Sequence, residues 1–176
     1  MLEYLQRMAR YNQWMNQKLY AKVQLLSAEE IAKDRGAFFG SMLGTLNHLL
    51  VADMFWFRRF SGSKACKQAL APMRALSMPS SLNDILYEDI QVLAGARQEM
   101  DALILSFSDT WNEETLKETI QYRNMKGEKY QQQLGALLQH VFNHQTHHRG
   151  QMTTLLFQAG IDPEATDLLV MMMHEA

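Results

Sequence analysis

Four of the chain's six histidines, His140, His144, His147 and His148, fall within nine residues; His48 and His174 stand apart. Imidazole offers a neutral nitrogen lone pair near neutral pH, so such a cluster points to metal ligation or proton transfer. Which of the four could act together depends on the helix face each occupies. At about 100° per residue, Leu134, Leu137, Val141, Met152, Leu155 and Ala159 all fall within about 40° of His148. His144 falls within about 40° as well, one turn earlier. Both therefore sit in the apolar stripe that must face a core. His140 lies about 80° away on the flank, and His147 about 100° away.

Two imidazoles at i and i+4 on a buried face need partners in a dry space. A metal ion would serve both, and so would ordinary structural hydrogen bonds. His48 bears on that choice. The residues on its face, Ser41, Gly44, Ala52 and Phe55, include small ones a turn to either side, leaving room for a close helix approach or an ion. A third histidine beside the pair would complete a three-nitrogen site with one position open, the arrangement of catalytic zinc. Nickel, manganese or iron could occupy the same nitrogens. The residue after His144 is Gln145, which cannot act as the general base of an H-E-x-x-H protease. No histidine has Glu or Asp three residues before it, which excludes the Glu-x-x-His pairs of a di-iron bundle.

Helical periodicity dominates the elements that would carry these residues. A first helix is expected over residues 2–26, followed by a capping box, Ser27-Ala-Glu-Glu30, that opens a short turn or helix. Gly36 and Gly40 loosen the chain before a second long helix over 41–60. Residues 61–81, with Gly62, Pro72, Pro79 and several serines, read as a long crossover. A third helix is expected from Leu82, capped by Asn83 or Asp84, to about Phe107. Residues 111–131 break the rhythm: Thr119, Ile120 and Tyr122 favour extended structure, and Asn124–Gly127 suits the turn of a short hairpin or loop. The fourth helix, about 130–159, should stop at Gly160, with a brief last helix from Asp162-Pro163. The expectation is an all-α four-helix bundle forming one domain over residues 1–176.

With 17 Lys+Arg against 19 Asp+Glu the chain carries −2, and Arg58-Arg59 is a pair rather than a patch, so nucleic acid is a poor partner. Residues 38–57 are mostly apolar, but Asn47, His48 and Asp53 argue for a buried bundle helix over a membrane span. The one cysteine, Cys66, cannot form an intramolecular disulfide and reads as an incidental thiol. No secretory signal is visible in the first twenty residues, and a cytoplasmic location is expected.

The stretch His144-Gln-Thr-His-His148-Arg149-Gly150-Gln151 resembles the H-x-x-x-H-R-G-Q signature of DinB-like proteins. Tyr11-Asn12-Gln13-Trp14-Met15-Asn16, the Asn47-His48 pair, Gly160-Ile-Asp162-Pro163 and Thr166-Asp167-Leu168 agree with it. The resemblance implies an up-up-down-down bundle and a homodimer. It also implies a mononuclear divalent-metal site with His48, His144 and His148 as ligands. It extends by fold to thiol S-transferases that use bacillithiol or mycothiol, where the metal holds a thiolate for attack on an electrophile.

The expected function is thus a metal-dependent thiol transferase or hydrolase, acting on a low-molecular-weight thiol or small electrophile. A non-catalytic metal-binding stress protein and a metal-free helical interaction module are the competing readings. Among the remaining residues, Gln151 could reach a ligand or pack plainly, and Arg149 should face a neighbouring helix or water. Asn47 should bond backbone or a neighbouring helix, and His140 should line a cavity mouth or lie on a solvated flank. His147 and His174 read as surface residues, and Met171–Met173 as an apolar patch. Leu43, Leu46, Leu50, Met54 and Phe57, opposite His48, make the second helix apolar on both faces, to be enclosed by its own domain or a second subunit.

Overall fold

Four long amphipathic helices build the core of the computed structural model, which describes residues 1–124 and 126–175. They are α1 (Leu2–Val23), α3 (Met42–Phe60), α5 (Ile90–Ser108) and α7 (Leu134–Gln158). Short helices α2 (Ala28–Ala32), α4 (Ala71–Ala75), α6 (Glu113–Lys117) and α8 (Leu168–Glu175) decorate the connections. The strands β1 (Thr119–Arg123) and β2 (Lys129–Gln133) pair antiparallel, Thr119 opposite Gln133 and Arg123 opposite Lys129. No described helix is long and apolar enough to cross a membrane.

Both α1 and α3 pack mainly against α5 and α7, so each sits diagonally across from the other. Side-chain contacts fix the directions. Gln6 meets Ser108 while Gln24 meets Gln91, so α1 and α5 are antiparallel. His48 meets His144 while Trp56 meets His140, so α3 and α7 are antiparallel. Asp53 meets Arg97 and Phe57 meets Phe107, so α3 and α5 are parallel. The bundle is all-α as expected, but its order is up-down-down-up instead of up-up-down-down. The chain has one long crossover, residues 61–89, joining the parallel pair; an up-up-down-down bundle needs two.

Three expected boundaries move, each for a local reason. The third long helix starts at Ile90, not Leu82. Asp89 accepts from the Gln91 and Val92 amides at 2.7 and 3.3 Å, while Asp84 spends its carboxylate on Ser80 and Ser81. The fourth starts at Leu134, not Tyr130, because residues 129–133 pair with β1. The last helix starts at Leu168, not Asp162; Asp162 instead accepts from the Glu164 amide, and Glu164 takes a left-handed φ of 62°. Gly160 (φ 79°) ends α7 as expected, and Ser27 caps α2 through the Glu30 amide. The hairpin is present, with the Gly127 amide on the Asn124 carbonyl at 3.0 Å; Met125 of that turn and Ala176 of the expected domain lie outside the described residues.

Leu43, Leu46, Leu50, Met54 and Phe57 are all buried within this one chain. The apolar second face of α3 is therefore enclosed by its own domain and calls for no second subunit.

Candidate metal centre

The histidines of α3 and α7 are brought together by a polar clamp built from the residues next to them. Gln145 is fully buried and donates Nε2 to the Leu49 carbonyl at 3.0 Å and to Asp53 Oδ1 at 2.6 Å. Asp53 Oδ2 accepts from Arg97 at 2.7 Å, and Arg97 lies 3.0 Å from Asp101 Oδ1. Asp101 accepts from Asn12 and Asn16 at 3.2 and 3.0 Å, and Arg149 donates to Asn12 Oδ1. The network touches all four long helices. It sets two buried arginines against two buried aspartates, so no net charge is left in the core.

Around it converge His48 (4% exposed), His144 and His148 (8% exposed). His144 Nε2 lies 3.2 Å from His48 Nε2 and 3.1 Å from His148 Nε2. The far nitrogens show which form each ring takes. His48 Nδ1 is 2.9 Å from the Leu82 carbonyl, which can only accept, so Nδ1 carries the proton. His148 Nδ1 is 2.7 Å from Gln151 Oε1 and donates to it in the same way. In the neutral rings both Nε2 atoms are then bare lone pairs aimed at a third imidazole nitrogen. One His144 proton could serve only one of them well.

A cation at the focus would satisfy all three. With metal–nitrogen bonds of ~2.1 Å, ligand nitrogens lie about 3.4 Å apart in a tetrahedron and about 3.0 Å apart at right angles. The separations of 3.1 and 3.2 Å fall between these limits, so the residues fit a metal ion. Burial pushes His144 down to about 3, with the neighbouring imidazoles adding to it. It also lowers His48, against the opposing pull of the Leu82 hydrogen bond, and His148, against that of Gln151. The rings are neutral at pH 7, the state a ligand requires.

Phe39 stacks on His48 with ring centres 3.8 Å apart and planes at 19°. Gly44 makes this approach possible: a Cβ there would stand 2.1 Å from the Phe39 carbonyl oxygen. The room expected beside His48 is thus taken by the backbone of the preceding loop. The triad opens on two cavities. One, of about 410 Å³, is walled by Trp56, Arg59, Tyr122, Tyr130 and His140; the other, of about 440 Å³, by Phe38, Phe39, Asn83, His147 and Gln151.

The DinB family model matches residues 1–175. The chain belongs to the DinB family. Protein DinB of Bacillus subtilis (strain 168) is 28% identical over 172 residues, covering 95% of this chain and 92% of that protein. The uncharacterized protein YrdA of the same organism is 41% identical over 64 residues, 36% of this chain and 35% of its own. The crystal structure of a DinB-like protein from Bacillus cereus ATCC 10987 superimposes with a TM-score of 0.57 at 18% identity. It covers 86% of this chain and 89% of that one, a likeness of fold.

In this DinB-family bundle the other singled-out residues divide clearly. Gln151 reaches the site by orienting His148. Asn47 turns away from the triad: Nδ2 donates to the Leu43 and Tyr87 carbonyls, and Oδ1 accepts from the Leu86 and Tyr87 amides. Arg149 points into the core rather than to water. His140 is exposed, lines the aromatic cavity and packs edge-on against Trp56, ring centres 5.2 Å apart. His147 and His174 are exposed, and Met171 is buried while Met173 is exposed. Cys66 is buried, which raises its thiol pKa and makes it inert.

The Leu82 carbonyl, Phe39 and the Arg97–Asp101 pair escaped the sequence reading. Asn12/Asn16 and Arg97/Asp101 are polar pairs four residues apart on apolar helices, and that spacing was the available signal.

Proposed function

We propose that this protein holds one divalent transition metal (zinc, nickel, manganese or iron) through His48, His144 and His148, and works as a metal-dependent transferase. The reading is carried by the convergence of three imidazole Nε2 atoms, two of them stripped of their proton by the Leu82 and Gln151 acceptors. Such an ion would lower the pKa of a bound thiol or water and keep it nucleophilic at neutral pH.

Three protein ligands leave a coordination position for a reactant. Cavities on two sides of the triad suit two reactants, a low-molecular-weight thiol and a small electrophile, better than the single substrate of a hydrolase. Among the described residues this aromatic cavity is lined by no Asp or Glu, so no carboxylate base stands among them. His140, exposed at the rim of this cavity and with its pKa lowered by partial desolvation, is the group placed to accept the thiol proton. The chain acts in the cytoplasm. A homodimer rests on the family resemblance alone, and light scattering tests it.

The reaction is tested by incubating zinc-loaded protein with cysteine or another small thiol and an aryl halide, and following thioether formation. The proposal predicts a rate above that of free zinc, lost in His144→Ala. A rate equal to free zinc contradicts catalysis and favours a metal-binding stress protein.

A further inference from the structure

The aromatic cavity beside the triad contains a half-buried cation that has no counter-ion among the described residues. Arg59 follows His48 by eleven residues on α3, about 20° around the helix, and both line this cavity. Its guanidinium carbon lies 4.6 Å from the Trp56 ring centre, 5.5 Å from that of Tyr122 and 6.0 Å from that of Phe55. Phe55 and Trp56 precede it by one turn, so the side chain runs back along the helix toward the histidines. Among the described residues Arg59 makes no ion pair within 4.0 Å. Its neighbour Arg58, by contrast, is tied to the Met73 carbonyl at 2.6 Å.

A guanidinium held by aromatic faces keeps its N–H edge free, and that edge matches the two oxygens of a carboxylate or phosphoryl group. Partial burial removes some of its water and lowers its pKa, so an arriving anion restores interactions that folding took away. Eleven residues of helix rise about 16 Å, and the side chain returns about one turn of that, leaving roughly 10 Å to the triad.

We propose that Arg59 is the specificity-determining residue of this site, recognising an oxyanion at the far end of an elongated small molecule whose other end is the metal-binding group. This rests on the metal reading above for the donor end only. The substrate class is an anionic thiol whose carboxylate or phosphoryl group stands roughly 10 Å from its sulfur, with a middle that packs on Trp56, Tyr122 and Tyr130.

Isothermal titration of two probe pairs tests it: 8-mercaptooctanoate against 8-mercaptooctanol on zinc-loaded protein, and octanoate against octanol on metal-free protein. Wild type should bind each anionic probe at least about tenfold more tightly than its neutral partner, a typical gain for a charged hydrogen-bonded pair. In Arg59→Gln each pair should fall within about twofold, while Arg59→Lys keeps part of the preference and both variants retain wild-type zinc content. An unchanged preference in Arg59→Gln, no preference in wild type, or no binding of any anionic probe overturns the assignment. If zinc does not bind but octanoate is preferred through Arg59, the metal reading fails and the Arg59 assignment stands.

Discussion

Asn47→Ala should damage both the fold and the site, because one side chain fastens the segment that orients His48. Asn47 is fully buried, and outside its own helix it holds the Tyr87 carbonyl and the Leu86 and Tyr87 amides at 2.9–3.0 Å. Alanine leaves those three groups without their partner. An orphaned buried group costs about 1–3 kcal/mol, and residues 86–87 are only half-buried, so the low end applies and the total is about 3 kcal/mol. With a urea m-value near 2 kcal/mol/M, the midpoint of the metal-free protein should drop by about 1.5 M. Leu82, whose carbonyl holds the His48 proton, lies four residues before Leu86 on the same segment. Once that segment loosens, metal affinity should fall about tenfold or more, as for other residues that orient a ligand. Urea titration and a competitive chelator titration read the two effects. A stability loss under about 0.5 kcal/mol would refute the accounting of the hydrogen bonds. A full loss of stability with unchanged affinity would refute the link from Asn47 through Leu82 to His48.

Other perturbations have separate readouts. Gln151→Leu removes the acceptor of the His148 proton and should weaken metal binding about 10–100-fold with little change in the metal-free melting temperature. Arg97→Met strands Asp53 and Asp101 in the core and should cost about 3–5 kcal/mol in urea denaturation, unless a second change removes the carboxylates. The metal-free protein should lose stability as pH falls through about 6.5, the ordinary histidine value. Folding lowers the pKa of His48, His140, His144 and His148, so the unfolded chain binds more protons below that pH. In His144→Phe, thermal melts between pH 7.5 and 5.5 should show a shallower slope; an equal slope would contradict the assignment.

The helix-face arithmetic placed His144 and His148 correctly because 3.6-residue periodicity survives folding on a long helix. It also separated His147 from the site. The bundle class was legible for the same reason. Helix starts were not: Leu82–Asp89 has a helical cap signal, but its backbone is claimed by Asn47, far away in sequence. Tyr130–Gln133 reads as helix until a partner strand is beside it. Helix direction likewise depended on the number of long crossovers, which family resemblance alone got wrong. The orienting groups were the least legible. A backbone carbonyl such as Leu82 has no sequence signature, and Phe39 reaches His48 only because Gly44 lets the loop pass. Gln151 was visible as a candidate because it lies about 60° from His148 on the same helix.

Three convergent imidazoles are proposed to hold a metal. The most direct test is elemental analysis of protein purified without a metal-affinity tag, alongside His144→Ala and His148→Ala. The wild type should carry about one transition metal per chain, matching the one three-histidine cluster among the described residues, and both variants should lose it. Metal-free wild type that takes up none on reconstitution, or variants that keep a full complement, would contradict the proposal.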